Sequence, residues 1–214
     1  MFITLEGPDG SGKTQQTQLL SAFLAAKGYK IFTSREPGGT AIGDKVRAIL
    51  MDMHNETMHP RTETLLFCAS RAQLVEEVIK PKLQQGYIVI LDRYADSTMA
   101  YQGYGHRNDL AMIRQVLNFT TGGLKPDLTI LLDLDPQIGL KRKKQGGLEW
   151  NRLDAYQLEL HQRVRAGYLE MAAQEPQRWC IVPADKPIEV VQSKIQKIVM
   201  KYLASINLLN SERV

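Results

Sequence analysis

Two kinds of hydrophobic pattern alternate along the chain. Phe2-Ile3-Thr4-Leu5, Lys30-Ile31-Phe32-Thr33, Tyr87-Ile88-Val89-Ile90-Leu91, Leu128-Thr129-Ile130-Leu131-Leu132 and Trp179-Cys180-Ile181-Val182 are short, mostly apolar runs of strand length. Between them apolar residues recur at helical spacing. Thr14 to Lys27 carries Leu19, Leu20, Phe23 and Leu24, with Gly28 as a stop. Gly43 to Met53 predicts a short helix and Arg61 to Gln85 a long one. Pro81 should kink or break the latter, because its ring meets the carbonyl four residues back and it has no N–H to donate. Leu110 to Phe119, Asp154 to Gln174 and Ile188 to Leu203 predict three more helices. Strands apolar on both faces, alternating with helices, predict an α/β fold with a five-stranded parallel sheet flanked by helices.

Composition changes this picture little. The 214 residues suit one domain spanning 1–214, since no linker or repeat divides them. With 43% hydrophobic and 23% charged residues, neither a disordered nor a fibrous chain is expected. A net charge of +4 suits an anionic small ligand, and without a concentrated basic face no nucleic-acid partner is expected. Cys68 and Cys180 form no metal-ligand spacing and sit in apolar surroundings, as buried thiols in a reducing compartment do. No apolar run approaches the ~18 residues of a membrane span, and the first residues do not read as a signal peptide. The expected location is the cytoplasm, with no membrane partner.

The chemistry enters at the end of the first strand. Gly7-Pro8-Asp9-Gly10-Ser11-Gly12-Lys13-Thr14 fits G-x-x-x-x-G-K-[ST], with a strand before it and a helix after it. Glycines let backbone N–H groups approach phosphate oxygens, and the helix N-terminus adds its dipole. In such a loop the lysine reaches the β- and γ-phosphates and the hydroxyl serves Mg²⁺, so Lys13 and Thr14 take those roles with a nucleoside triphosphate. Asp92-Arg93 ends the third strand and Arg35-Glu36-Pro37-Gly38-Gly39-Thr40 follows the second. Ligands of open parallel sheets sit beyond the carboxyl ends of strands. Asp92 there could hold a hydrated Mg²⁺, and Arg93 and Arg35 could clamp a second phosphate; alternatively Asp92 and Arg93 pair with each other, and Pro-Gly-Gly is an ordinary turn. Phe67 and Arg71 share a helix face at i, i+4. They could stack on a planar base and donate to its carbonyl edge, or Phe67 could belong to the core with Arg71 snorkelling from it.

Glu6 to Thr14, Arg35 to Thr40 and Asp92-Arg93-Tyr94-Ala95-Asp96-Ser97-Thr98-Met99-Ala100-Tyr101-Gln102-Gly103 together resemble the thymidylate kinases of bacteria. Pro126-Asp127-Leu128-Thr129 and Asn151-Arg152-Leu153-Asp154 resemble two further blocks of that family, in the same order. The resemblance implies a P-loop NTPase fold with a small mobile lid at about 142–153, an ATP-dependent conversion of dTMP to dTDP, and a homodimer. It implies that Gly7, Pro8, Asp9, Gly10, Ser11, Gly12, Lys13 and Thr14 hold the ATP phosphates, with Arg142 on the adenine side or the phosphates. Asp9 would face the acceptor's 3′-hydroxyl, and Arg35 and Arg93 would clamp its phosphate. Phe67 would stack on thymine, Arg71 would bond its O4, and Thr98 and Gln102 would lie near base and sugar. Tyr101 would lie under the sugar and disfavour a 2′-hydroxyl.

One departure stands out. Members whose phosphate loop lacks arginine usually carry a lid arginine, and here that position falls near Gly147 and Leu148. The replacement cation is expected among Arg142, Lys143, Lys144 and Arg152. Arg142 and Arg152 stand ahead of the lysines, because a guanidinium clamps phosphate bidentately. With Lys13, Arg93 and Asp9 they complete the expected catalytic set. The alternatives are another P-loop nucleotide or nucleoside kinase, or a non-catalytic nucleotide-binding module. A GTP-binding switch should carry Asn-Lys-x-Asp, which is absent.

Overall fold

The computed structural model describes residues 1–145 and 151–211. Five strands, β1 (Phe2–Glu6), β2 (Ile31–Arg35), β3 (Ile88–Asp92), β4 (Leu128–Asp133) and β5 (Trp179–Pro183), pair in parallel in the order β2-β3-β1-β4-β5. The register sets Leu5 opposite Asp92 and Arg35 opposite Asp92, so the carboxyl ends of β1, β2 and β3 lie side by side. The three central strands, β1, β3 and β4, are buried almost throughout, as the unbroken apolar runs require.

The period-two alternation of the strands divides the core. Ile3, Leu5, Ile88, Ile90, Leu128, Ile130 and Leu132 pack with α1 (Lys13–Ala26) and α9 (Ile188–Ser211) through Leu20, Leu24, Val191, Ile195 and Val199. Phe2, Val89 and Leu91 face the opposite side, against Leu74, Val75, Ile79 and Tyr94. Each such fully buried side chain is worth about 1.5–3 kcal/mol.

The helix expected over 61–85 is one rod with a widened turn. It runs as α3 (Pro60–Leu74), a π-helical turn over Val75–Ile79, and α4 (Lys80–Gln84). Widening the turn just ahead of Pro81 relieves the clash with the carbonyl four residues back, so the chain neither breaks nor stops. Two helices were not legible in the pattern. Ala95–Thr98 (α5) continues as a π-helical stretch over Met99–Gly105, whose glycines and tyrosines carry no helical periodicity. Pro136–Gln145 (α7) has a mostly polar sequence, and the basic run Lys141 to Lys144 hides it. The helices expected at 43–53 and 110–119 are α2 (Ala41–Met51) and α6 (Leu110–Thr121). The helix expected from Asp154 begins later, as α8 (Leu158–Gln174). Arg152–Ala155 is instead a separate 3-10 turn, closed by a reciprocal Asn151–Asp154 capping box.

Candidate active site

The loop between β1 and α1 curls around the ammonium of Lys13, which donates to the carbonyls of Gly7 (3.0 Å) and Pro8 (2.9 Å). α7 lies directly on this loop. A Cβ on Gly10 would come within 2.1 Å of the Gly139 carbonyl, so neither the φ of +74° nor the approach tolerates a side chain. Burial and the nearby Arg93 guanidinium pull the Lys13 amine down to about 8, with Asp9, Asp92 and Glu6 pulling the other way. This is a cation held ready for anionic partners.

Asp92 and Arg93 do not pair with each other. Asp92 Oδ2 accepts from the Thr14 hydroxyl at 2.5 Å, whereas Arg93 Nη2 donates to Asp9 Oδ1 at 2.7 Å. Thr14 and Asp92 thus present adjacent hard oxygen donors beside the phosphate loop, a donor set that fits Mg²⁺. Burial would raise the Asp9 carboxyl, but Arg93, Lys13, the Tyr101 hydroxyl and Lys143 together hold it well below the usual carboxylate range. Tyr101 donates to Asp9 Oδ2 at 2.5 Å, and the Arg93 guanidinium lies 5.0 Å from its ring centroid.

Arg93 has a φ of +72°, a left-handed conformation that costs energy for a residue with a Cβ. Its surroundings impose it. Arg93 N–H donates to the Leu5 carbonyl and Tyr94 N–H to Glu6 Oε1, at 3.0 and 2.8 Å. Glu6 also accepts from Ser97 (2.6 Å) and Tyr168 (3.0 Å), and both of these hydroxyls accept from Arg93 Nη1. Burial and the Asp96 charge raise the Glu6 carboxyl to about 7. Glu6, Ser97 and Tyr168 went unassigned from sequence. Glu6 had a signal, an acidic residue closing a buried strand; Tyr168 had none, because only the fold brings α8 to β1.

A cavity of about 440 Å³ joins these groups. Asp9, Lys13, Thr14, Arg35, Asp92 and Arg93 line it, as do Phe67, Thr98, Tyr101 and Gln102. Arg71 stands behind this wall and does not snorkel. It is 1% exposed and donates through Nε (2.8 Å) and Nη2 (2.5 Å) to Glu36 Oε2, and through Nη2 to the Tyr94 carbonyl. Its Nη1 is buried with no hydrogen-bond partner among the described residues, as are Glu36 Oε1 and Thr98 Oγ1. Buried polar atoms are rarely left so, and these three are suited to a polar ligand.

The basic residues expected to serve the transferring phosphate are dispersed. Arg142 donates to the Ala184 carbonyl at 2.9 Å, beyond β5, and does not line the cavity. Arg152 is buried and donates to Leu50 O, the Tyr156 hydroxyl and Glu63 Oε2. In this arrangement its charge is spent away from the phosphate loop, because Glu63 is the nearer anion. Lys143 does line the cavity, and it pairs with Asp154. The expected lid positions Gly147 and Leu148, and the Gly146-Gly147 pair, lie outside the described residues.

A phosphate loop at the edge of a parallel sheet, opening on a cavity with a second set of cations, defines a P-loop phosphotransferase of the nucleotide-kinase kind. Comparison with known proteins narrows this class. The family described as thymidylate kinase matches residues 5–195. The thymidylate kinase of Roseiflexus castenholzii is 52% identical over 96% of this chain and 95% of its own, and that of Deinococcus radiodurans is 48% identical over 91% and 94%. A crystal structure of thymidylate kinase from Ehrlichia chaffeensis superposes with a TM-score of 0.77 at 34% identity, covering 94% of this chain and 98% of that one. The chain belongs to the thymidylate kinase family.

Proposed function

We propose the following division of labour for the reaction this chain catalyses, ATP + dTMP → ADP + dTDP. The phosphate loop, Gly7 to Thr14, holds the ATP phosphates, and Lys13 neutralises the charge between donor and acceptor. Thr14 and Asp92 are the residues that would hold Mg²⁺, which when bound offsets phosphate charge. Arg93, its guanidinium fixed by Asp9, Ser97, Tyr168 and Tyr101, clamps the dTMP phosphate together with Arg35. Asp9 is ionised and accepts from the sugar hydroxyl. The acceptor phosphate is already an anion, so the chain mainly positions two polyanions and stabilises charge.

Phe67 stacks on thymine, and Arg71 donates through its unpartnered Nη1 to the base O4, with Thr98 and Gln102 closing around base and sugar. Tyr101, held by Asp9, excludes a 2′-hydroxyl. The observation that carries this reading is the single cavity, with cations and carboxylates of the phosphate loop on one part of its wall and Phe67, Thr98 and Gln102 on the other. Lys143 rather than Arg142, Lys144 or Arg152 supplies the further cation, because it alone of the four lines that cavity. Arg142 serves the donor nucleotide, three residues beyond the Gly139 contact with the loop. ADP release from ATP and Mg²⁺ is expected to depend on dTMP; comparable turnover with AMP or GMP, or none with dTMP, overturns the assignment.

We also propose that the chain acts as one domain in a homodimer of the cytoplasm. The continuous five-stranded sheet supports the first, and two free cysteines support a reducing compartment. Among the described residues no helix is long and apolar enough to cross a membrane. The dimer is supported by Leu65, Met112 and Phe119 on the neighbouring α3 and α6, which are 60%, 61% and 85% exposed. Equilibrium sedimentation should give twice the chain mass, and Phe119→Glu with Leu65→Glu should give the single mass.

A further inference from the structure

Glu63 opens α3 one turn before Phe67 and is 1% exposed. Burial would raise its carboxyl, yet His106, Tyr156, Arg152 and Gln102 hold it down at about 2, so it is a buried anion. Its two oxygens serve different parts of the molecule. Oε1 accepts from Gln102 Nε2 (2.8 Å) and faces the His106 ring nitrogen (3.1 Å), both borne by or adjoining the π-helical stretch. Oε2 accepts from Arg152 Nη2 and the Tyr156 hydroxyl, each at 2.5 Å, on and just after the 3-10 turn. Arg152 then donates onward to Leu50 O near the end of α2.

The residues on either side of each contact reach the cavity. Gln102 lines it directly, as does Phe67 on the helix of Glu63; Asn151 and Leu153, which flank Arg152, line it too. Asp154, on the same turn, holds Lys143. The groups assigned to the acceptor nucleoside and the turn whose Asp154 pairs with Lys143 of α7 are therefore joined through one carboxylate.

We infer that Glu63 is a positioning residue that transmits occupancy of the acceptor site to segment 151–156, so that dTMP binding steadies the already formed turn whose Asp154 holds Lys143. Moving Gln102 shifts Oε1, and a planar carboxylate cannot shift one oxygen without reorienting the other toward Arg152 and Tyr156. The inference rests on the assignment of Phe67 and Gln102 to the acceptor nucleoside.

Hydrogen exchange followed by mass spectrometry, with and without saturating dTMP and no ATP, tests it on the intact protein. In the wild type, dTMP should slow exchange at least threefold both around Phe67 and in 151–156. In Glu63→Gln, whose amide N–H₂ turns a donor toward two donors, the response around Phe67 should persist while that of 151–156 is lost. Turnover should fall about tenfold with the KM for ATP within twofold. Tyr156→Phe removes one hydrogen bond without removing charge; it should lose at least half of the response, and it decides the matter if Glu63→Gln does not fold. A merely structural Glu63 would raise exchange everywhere and leave the ratio with and without dTMP intact, and that result overturns the inference. No response in 151–156 of the wild type also overturns it; no response around Phe67 in the wild type overturns the acceptor-site assignment instead.

Discussion

Lys13→Met should abolish turnover and at the same time raise the melting temperature. Catalysis falls because Lys13 is the cation assigned to the phosphates in transit, and losing such a group costs kcat about 10³-fold or more. Stability rises because the free protein carries this charge at a cost. Burial and Arg93 bring its folded pKa to about 8, against 10.5 for an unperturbed lysine. Each unit is worth ~1.4 kcal/mol. Lost bonds to the Gly7 and Pro8 carbonyls offset part of this, leaving a net gain of about 1 kcal/mol, or about 2–4 °C for a chain of this size.

The sign of the pH dependence follows. Between about 8 and 10.5 the unfolded chain keeps a proton on Lys13 that the folded protein releases, so wild-type stability from this group rises with pH through that window. Below 8 the penalty is present in full. The advantage of Lys13→Met should therefore be largest at pH 7 and shrink toward pH 10.5. Calorimetry and steady-state rates check both halves; a variant that melts lower at pH 7 would show that Lys13 holds the loop together rather than strains it.

Lys143→Ala should lower kcat about 10²–10³-fold with little change in the KM for dTMP, whereas Arg152→Ala should act first on stability. A cation at the transferring phosphoryl group is worth several powers of ten when it is arginine, and a lysine, which clamps one oxygen at a time, somewhat less. Lys143 lines the cavity and its charge reaches Asp9. Arg152, 6% exposed, pairs with Glu63. Removing one partner of a buried pair costs about 3 kcal/mol, or a fall of about 6–12 °C in this size range. Arg142→Ala should change the KM for ATP most, as Arg142 is assigned to the donor nucleotide on the helix that meets the phosphate loop at Gly139. If Arg152→Ala melts like the wild type and loses 10³-fold in kcat while Lys143→Ala stays active, the cations have been assigned the wrong way round.

The ordering of these cations separates what is legible in a chain from what is not. The three central strands were readable because a parallel strand buried on both faces must be apolar throughout, and the edge strands β2 and β5, only partly buried, were readable from their short β-branched and aromatic runs. The phosphate loop was readable because its chemistry is local: backbone N–H groups, Lys13 and Thr14 all come from eight consecutive residues. The placing of Asp92, Arg93 and Arg35 at one edge followed from strand polarity alone. The helices beginning at Ala95 and Pro136 were not readable, since π-turns, glycines and charge runs break the 3.6-residue period. Pro81 predicts a kink or a break, whereas the helix widens into a π-turn ahead of it and continues.

The choice among Arg142, Lys143 and Arg152 could not come from residue type. Bidentate geometry favours arginine wherever the phosphate is the nearest anion. The fold instead sets Glu63, which precedes Arg152 by 89 positions, within 2.5 Å of its guanidinium. The same holds for Glu36 beneath Arg71 and for Glu6, Ser97 and Tyr168 around Arg93. By itself the sequence determined the strands, the phosphate loop and the family they belong to. Tertiary structure alone decided where each arginine spends its charge, because a charge is settled by the nearest opposite charge in space, and most of those partners lie tens of residues away along the chain.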